Sequence, residues 1–573
     1  MYKIQGNTNP FIINLTSDEE PFSIDQYFEI KDSLNKNPIC RIVETSSKEE
    51  NGKVIHLGVA KIESNIIKPI NPQSEIVEPT FTKMKPYVMN TEPVNGFVLG
   101  EIMGTTYSDI PSKYKNLCVM MDEKKIRKQN KIPFVFDYKK LYQSPHIGLF
   151  GGSGSGKTFA LKVFMEEAMK RGIPIVLLDP HLEMNFAANK SEIPDDFKHN
   201  FGGKFSIFTI GENIGIDFCD LTADELAGIM SFSGELSGPM DSLLRELHKK
   251  GESYLELTRK IEILLGAMEK KEYKKDYTPD EALLMGYYGS KIPHISTLQA
   301  LSWRLASLNA SNIFNKNIEL IKEAMCKQKV CVVRGAMIQL NILSGYLIRK
   351  FYEMRRSYID GKETGHINEM FPPFLIAMDE AHLFCPRNEE YTPTKKILRT
   401  IAQEGRKYGV FEILATQRPS LLDTTVVAQM ANKLIFRISV KEDLTSIAKE
   451  TDLTEEEVRR LPYMDSGECY VSSSIMGKTM SVKIRYNITE AKTSFNPFDE
   501  LSNMNVLSPV EEEILKHLPI TPLNIDEVII KIGKETGKNF SLAEFNSLMD
   551  ELHGKGKITR DIGMLGTSYI LKT

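Results

Sequence analysis

Short apolar runs recur through the middle of the chain, each bounded by polar residues or glycine. They are HIGLF (146–150), IPIVLLD (173–179), KVCVVRG (329–335), FLIAMD (374–379), VFEILAT (410–416), KLIFRIS (433–439) and ECYVSS (468–473). Continuous apolar runs of this length are typical of strands buried on both faces of a sheet. After the first run come a glycine loop and FALKVFMEEAMKRG, whose apolar residues have helical spacing up to the stop signal Gly172. The pattern predicts an α/β domain with a parallel sheet.

Other regions of the chain have a different pattern of apolar and polar residues. Residues 1–115 contain short β-rich runs such as 53–62 and 95–103, broken by Pro, Asn and Gly. They predict an N-terminal small β-barrel or sandwich. Residues 221–328 are mostly helical in periodicity, which predicts a helical insertion within a core domain spanning 116–500.

The C-terminal segment, 506–573, has its own pattern. FNPFDE (495–500) is predicted to be a linker before it. Ser508 and Ser541 each precede a glutamate by three residues, which is the signature of a capped helix start. Three short helices followed by a hairpin-like tail predict a winged-helix-like domain.

Composition narrows the class of protein. The 573 residues carry a net charge of −4, so any contact with nucleic acid depends on a local basic surface. Seven dispersed cysteines without a CxxC pair indicate reduced thiols and not a zinc site or disulfide framework. No apolar run approaches the roughly 20 residues that cross a bilayer, and no signal-peptide pattern is present, so a cytoplasmic protein without membrane contact is expected.

The sequence GGSGSGKT at 151–158 fits the phosphate-loop pattern G-x-x-x-x-G-K-[ST]. It follows a predicted strand and opens a predicted helix, as that motif requires, which makes a chance glycine loop a weak alternative. Lys157 is expected to reach the β- and γ-phosphates of ATP, and Thr158 to bind Mg²⁺. The predicted nucleotide-binding residues are Gly151, Gly152, Ser153, Gly154, Ser155, Gly156, Lys157 and Thr158.

The run FLIAMDEAH supplies acids for the same chemistry. Asp379 is predicted to hold the Mg²⁺ shell, and Glu380 to polarise the attacking water. Gln417 follows another predicted strand, and a glutamine there can orient water. Both features have structural alternatives, because acid pairs and polar residues also occur at strand ends without a catalytic role. Arg418 has no assigned role.

The motifs GGSGSGKT, LLDPHLE, MDEAH, EGRKYGV and ATQRPSLLD, in that order, resemble the HerA branch of the HerA–FtsK ring ATPases. The resemblance covers roughly 90–500. It departs from the family after the second strand, where Leu182 and Met184 replace the usual Gly and Tyr of Asp-Pro-His-Gly-Glu-Tyr. Asp179, His181 and Glu183 are therefore given only a supporting role.

The resemblance implies a RecA-like core in a homo-hexameric ring that hydrolyses ATP between subunits and moves along double-stranded DNA through its central channel. It also implies that Arg406, in EGRKYGV, is an arginine finger reaching the neighbouring subunit's nucleotide. The alternative is that Arg406 pairs structurally with Glu404 or another acid.

Two functions follow. The first is a DNA translocase that works with a nuclease or similar effector chain. The alternative is a ring-shaped scaffold and regulator for an antiphage-defence effector, either a nuclease or a sirtuin-like NAD-consuming protein. A DNA pump of the secretion or cell-division type is less favoured, because no membrane segment is found.

The charge pattern bears on the role of the C-terminal domain. Its would-be recognition helix, 541–553, contains acids and no Lys or Arg, so a protein-binding or ring-bracing role is favoured over DNA binding. Lys555, Lys557 and Arg560 in the wing leave a backbone contact open. The mixed charges of 268–277 indicate a solvated helix end.

Overall fold

The computed structural model describes residues 2–50, 52–123, 125–231, 234–272, 276–366, 369–388, 392–490, 507–563 and 566–571. The chain divides into two compact units, Met1–Ala491 and Lys492–Thr573. The predicted linker at 495–500 lies outside the described residues. None of the described helices has a stretch both long and apolar enough to cross a lipid bilayer.

The first unit holds most of the regular structure. Its strands are β1 (Lys3–Gln5), β2 (Ile12–Ser17), β3 (Tyr27–Lys31), β4 (Ile39–Glu50), β5 (Lys53–Ile62), β6 (Glu75–Val77), β7 (Phe97–Ile102), β8 (Val119–Asp122), β9 (Lys125–Lys128), β10 (Pro133–Phe136), β11 (Ile147–Phe150), β12 (Ile175–Leu178), β13 (Phe205–Thr209), β14 (Val330–Arg334), β15 (Phe374–Met378), β16 (Val410–Thr416), β17 (Asn432–Ile435), β18 (Glu468–Ser473) and β19 (Lys478–Ile484). Its helices are α1 (Phe81–Val88), α2 (Lys157–Arg171), α3 (Ala223–Ser231), α4 (Gly238–Leu247), α5 (Tyr254–Glu272), α6 (Pro279–Tyr288), α7 (Ile295–Ala310), α8 (Glu319–Cys326), α9 (Met337–Thr364), α10 (Pro393–Tyr408), α11 (Thr424–Gln429), α12 (Lys441–Lys449) and α13 (Glu455–Arg460).

An eleven-stranded sheet forms the centre of this unit, in the order β10-β7-β19-β18-β17-β11-β16-β15-β12-β14-β13. The seven strands from β17 to β13 are parallel, and the other four extend the sheet antiparallel. Alternate residues face two different cores: Ile175 and Leu177 of β12 pack on one side, Val176 and Leu178 on the other. This two-sided burial explains the continuous apolar runs. The chain has the α/β fold with a parallel sheet that the sequence predicts.

The helices confirm part of the sequence pattern. Helix α2 ends at Gly172, which has the left-handed φ of +64° that glycine tolerates without strain. The stretch predicted to be helical, 221–328, contains α3 to α8. Helices α9 and α10 were not predicted, although α10 carries the EGRKYGV motif.

The N-terminal β-rich region is shorter than predicted. A six-stranded sheet, in the order β1-β2-β5-β4-β3-β6, ends at Val77, well before 115. Strand β7 pairs instead with β10 and β19 of the central sheet. Its backbone packs closely there, since a Cβ on Gly100 would lie 2.0 Å from the Lys483 carbonyl oxygen. Strand β7 is therefore part of the core.

A buried ionic cluster joins the N-terminal sheet to the core. Arg41 on β4 is fully buried, and its guanidinium lies 2.8 Å from Asp25 and 3.0 Å from Glu63. It also donates a hydrogen bond to Glu457 of α13. Three carboxylates around one guanidinium satisfy a charge that would otherwise be very costly to bury.

The second unit contains α14 (Pro509–Lys516), α15 (Ile525–Thr536), α16 (Leu542–Gly554), and the hairpin of β20 (Ile558–Gly563) and β21 (Gly566–Leu571). The predicted caps at Ser508 and Ser541 are both present as reciprocal hydrogen bonds with Glu511 and Glu544. The unit has its own apolar core, built from α14 to α16 and both strands.

Candidate nucleotide-binding site

The phosphate loop lies between β11 and α2, at the carboxyl ends of the parallel strands. The Gly151 N–H donates to the Thr416 carbonyl at the end of β16 (3.3 Å), and the Gly152 N–H donates to the Arg437 carbonyl (2.7 Å). Gly156 has a φ of +105°, and a Cβ there would lie 2.8 Å from the Gly467 nitrogen. Glycine is therefore required at 156 both for its backbone conformation and for space.

The side chain of Lys157, the cation of the phosphate loop, contacts the backbone of the same loop. The Lys157 ammonium donates to the Gly152 carbonyl (3.0 Å), and the Ser155 hydroxyl donates to the same oxygen (2.8 Å). Lys157 is buried, and this burial lowers its pKa, while Glu380 and Asp379 act in the opposite sense. A phosphate group bound in the loop would supply the negative charge that this ammonium needs.

The two predicted metal ligands lie together. The Thr158 hydroxyl donates to Asp379 Oδ2 (3.0 Å), so α2 and β15 place a hydroxyl and a carboxylate in contact. Burial and the neighbouring Glu380 raise the pKa of Asp379. A divalent cation would relieve this repulsion, and Mg²⁺ prefers hard oxygen ligands of this kind. Thr158 and Asp379 therefore fit a magnesium site.

Glu380 is held by three groups at the ends of neighbouring strands. The Gln417 side-chain amide donates to Glu380 Oε1 (2.6 Å), and the Gln417 N–H donates to Oε2 (3.4 Å). Nδ1 of His382 lies 3.4 Å from Oε2 and 2.9 Å from the Thr416 hydroxyl. Burial, reinforced by Arg418, lowers the pKa of His382 and favours its neutral form.

The backbone of Glu380 is also unusual. Its φ is +49°, a left-handed conformation that non-glycine residues seldom adopt outside constrained sites. The structure thus brings Glu380 and Gln417 into direct contact, beside Asp379. His382 belongs to this cluster but was not singled out in the sequence, although it lies in the quoted MDEAH motif.

Two further arginines flank the loop. Arg437, just after β17, brings Nη2 to 3.5 Å from the Gly154 carbonyl. Arg418 forms an ion pair with Asp443 (3.3 Å) and is about half exposed. Sequence reasoning missed Arg437, because only the pairing of β17 with β11 places it beside the loop.

Arg406 lies far from the phosphate loop of its own chain. It is exposed in the last turn of α10, before the amino end of β16, whereas the loop contacts the carboxyl end of that strand. The seven residues of β16 span roughly 20 Å. Among the described residues, no acid lies within ion-pair distance of Arg406, so the predicted alternative of a pair with Glu404 is not formed. Arg406 lines an open cleft of about 870 Å³ with Lys433, Lys449 and Lys478.

The motif after β12 has a structural role. Asp179 accepts hydrogen bonds from the Glu183 and Met184 N–H groups (3.0 Å each) and from Arg334 Nε (2.9 Å). His181 and Glu183 are exposed. Leu182 has a φ of +59°, a conformation that suits the glycine usual at this position in the family.

The parallel sheet, the glycine loop at its carboxyl edge, and the Thr158–Asp379 pair define a P-loop nucleotide-binding site. Comparison with known proteins shows which P-loop proteins this chain is similar to. The family described as the central domain of helicase HerA matches residues 125–339. The DNA double-strand break repair helicase HerA of Saccharolobus solfataricus is 33% identical over 178 residues, which are 30% of this chain and 35% of that protein. The helicase of the same name from Pyrococcus furiosus is 26% identical over 389 residues, 61% of this chain and 66% of that protein.

Over the matched residues, the chain is similar to HerA helicases and has the phosphate-loop site of an ATPase. It spans about one third and just under two thirds of the lengths of these two relatives. Among solved structures, it is similar to the bacterial conjugative coupling protein TrwB, with a TM-score of 0.42 and 12% identity over 63% of this chain and 90% of that one. VirB4 of Thermoanaerobacter pseudethanolicus gives a TM-score of 0.38 and 15% identity over 71% and 98%.

Proposed function

We propose that this chain hydrolyses ATP as a cytoplasmic homo-hexameric ring that translocates double-stranded DNA and works with a nuclease or similar effector. The observation that carries the proposal is the division of the site. Lys157, Asp379 and Glu380 form one half at the carboxyl edge of the sheet, and Arg406 stands exposed at the other edge. A ring brings the second half of one copy to the first half of the next.

The chemistry follows from the first half. Lys157 and the loop N–H groups bind the phosphates of ATP, and Glu380 accepts the proton of the attacking water, which Gln417 helps to orient. The water oxygen bonds to the γ-phosphorus as the bond to the β–γ bridging oxygen breaks, leaving ADP and phosphate. Bound Mg²⁺ would neutralise charge on the phosphate oxygens. Arg406 from the neighbouring copy would stabilise the transferring phosphoryl group.

The test of this shared site is subunit mixing. Arg406→Ala and Glu380→Ala should each abolish hydrolysis in uniform assemblies, since arginine fingers contribute about 10³–10⁵ in rate. Mixing the two variants creates some interfaces with both residues intact, so ATPase activity should partly return. Lys407→Ala, which removes an exposed cation from the same helical turn, is the matched control and should keep full activity. Absence of recovery in verified mixed assemblies would contradict a role for Arg406 across the interface.

The domains outside the core enter the proposal as modules. We infer that the six-stranded N-terminal sheet is a small barrel and that 506–573 is a winged-helix-like domain. Two of the three wing cations are engaged within the second unit, since Arg560 pairs with Asp550, and Lys555 lies 2.6 Å from Glu511. Such pairing favours a protein-binding or assembly role over groove recognition. Deleting 506–573 should therefore spare affinity for double-stranded DNA while weakening assembly or partner binding.

The same pairing supports a second candidate function, a ring that serves as scaffold and regulator of an antiphage-defence effector such as a nuclease or a sirtuin-like NAD-consuming protein. The two functions separate in one measurement. A translocase should hydrolyse ATP faster when double-stranded DNA is added and should displace a strand or roadblock. A scaffold should show hydrolysis indifferent to DNA, together with effector activity that requires the ring.

A further inference from the structure

A pair of aromatic side chains lies beside the phosphate loop. Phe159 directly follows Thr158 in the first turn of α2, and its side chain is 47% exposed, which is unusual for a phenylalanine in the core domain. The ring of Tyr486 lies nearly parallel to it, at 20° and 6.5 Å between centroids. The mechanism proposed above uses neither ring.

Lys190 holds this pair together. Its ammonium lies 3.5 Å from the Tyr486 ring centroid and 5.2 Å from that of Phe159, within cation–π range of both. It also donates to the Asn487 side chain (2.8 Å). Burial lowers the pKa of Lys190 to about 8, so placing the ammonium here has a cost that the ring contacts offset.

The segment that carries Tyr486 is fixed to the phosphate-loop helix by buried charges. Arg485 lies 2.8 Å from Glu166 and 3.1 Å from Glu167, both on α2. Glu166 also accepts hydrogen bonds from the N–H groups of Ile488 (2.9 Å) and Thr489 (2.8 Å). A buried ionic anchor of this kind contributes geometric definition more than net stability. It sets Tyr486 at one position relative to the start of α2.

We propose that Phe159 and Tyr486, braced by Lys190, form the platform on which the base of the bound nucleotide stacks. The inference rests on the proposed nucleotide binding at the phosphate loop and assigns the residues that recognise its other end. The residue after the loop threonine is adjacent to where the loop places the phosphates, so an exposed ring there lies within reach of the sugar and base. Exposed aromatic faces bind bases by stacking, and a purine offers the larger surface.

The test compares two ligands that share phosphates but not a base: ATP and inorganic tripolyphosphate, each titrated with Mg²⁺ into the full chain by calorimetry. Phe159→Ala should weaken ATP binding about 5- to 100-fold, the range expected for loss of one base stack, and leave tripolyphosphate binding within twofold. Phe159→Trp should bind ATP as tightly as the unmodified chain does. Phe159→Leu, which keeps bulk without aromaticity, should bind ATP as weakly as Phe159→Ala. Preference for ATP over CTP should shrink in the Ala and Leu variants.

Tyr142→Ala is the matched control, because it removes another exposed aromatic ring of the same unit, placed before the amino end of β11 and not after its carboxyl end. Equal loss of ATP and tripolyphosphate binding in Phe159→Leu would mean that the side chain supports the loop and would overturn the inference. Unchanged ATP binding in both Ala and Leu variants would overturn it too. If the unmodified chain binds neither ATP nor tripolyphosphate, the proposed nucleotide site itself is wrong. That outcome is distinct from failure of the stacking platform alone.

Discussion

The two edges of the central sheet differ sharply. At the carboxyl edge, Thr158 and Asp379, and likewise Glu380 and Gln417, are joined by side-chain hydrogen bonds of 3.0 Å or less. At the amino edge, Arg406 is exposed and lines an open cleft. The carboxyl edge is preorganised within a single chain. The amino edge carries an exposed cation, Arg406, that has no ion-pair partner among the described residues.

Under our proposal, this difference gives binding and hydrolysis separate structural requirements. A single chain brings together the groups proposed to bind the phosphates and a metal ion. Arg406, the cation that our proposal places at the transition state, lies at the opposite edge of the sheet from those groups, whereas Arg418 and Arg437 lie beside them. The predictions below test this division, beginning with the largest effect.

The first prediction separates binding from turnover. Lys157→Ala should weaken nucleotide binding roughly 10- to 150-fold, because it removes a hydrogen-bonded charge from the phosphates. Arg406→Ala should lose about 10³-fold or more in hydrolysis while a dilute, unassembled chain binds nucleotide within twofold of normal. Calorimetry of binding and a phosphate-release assay measure the two quantities. Weak binding by unassembled Arg406→Ala would place Arg406 in its own chain's pocket and end the comparison.

The second prediction concerns Glu412, in the middle of β16 between the two edges. Its carboxylate is fully buried, neither oxygen has a hydrogen-bond partner among the described residues, and burial raises its pKa well above the usual value. Neighbouring His146 accepts from the Glu412 N–H (3.1 Å) and contacts the Ala402 carbonyl of α10 (3.1 Å). Burial lowers the pKa of His146 to about 4, so it is neutral at pH 7.

An acid whose folded pKa is raised favours folding below its unfolded pKa and loses that contribution as pH rises toward the folded pKa. The unfolding free energy should therefore fall by about 1.4 kcal/mol per pH unit above pH 4.5 on account of Glu412. Glu412→Gln removes this dependence, so its gain in thermal midpoint over the unmodified chain should be larger at pH 7.5 than at pH 5. Glu363→Gln, an exposed change at the end of α9, should show an equal small shift at both. A pH-independent effect of Glu412→Gln would mean that folding does not raise the pKa of Glu412, because the ionised carboxylate finds a partner in the folded chain.

The third and smallest effect is at Leu182, near the carboxyl edge. A left-handed backbone costs a residue with a Cβ about 1–2 kcal/mol, partly offset by the greater chain entropy of glycine when unfolded. Leu182→Gly should raise the thermal midpoint by about 1–2 °C. Leu182→Ala keeps the Cβ and should give no gain. An equal rise in both variants would show that the bulky side chain, and not the backbone, is the source of strain.

The sequence predicted the strands of the core well because parallel strands are buried on both faces and leave unbroken apolar runs. The residues of the phosphate loop, and Asp379 and Glu380, could be assigned because their motifs fix backbone conformation as well as residue type. Their roles in catalysis stay predictions, which the experiments above test.

Residues that meet only through sheet order could not be found in this way. Arg437 and Tyr486 approach the start of α2 from distant parts of the chain, and no spacing in the sequence links them to it. The boundary at 115 failed for a related reason. Strand β7 has the same local pattern of apolar and polar residues as the N-terminal strands. Only its pairing with β19 reveals that it belongs to the core.

Arg41 has a practical consequence for anyone who would study the core domain without its N-terminal sheet. Cutting the chain after β6 would remove the guanidinium and leave the Glu457 carboxylate without this ion-pair partner. Lys61 of β5, the other cation near it at 3.9 Å, would be lost in the same cut. A shortened protein made in this way should need Glu457 replaced by glutamine or leucine before its solubility or behaviour is compared with that of the full chain.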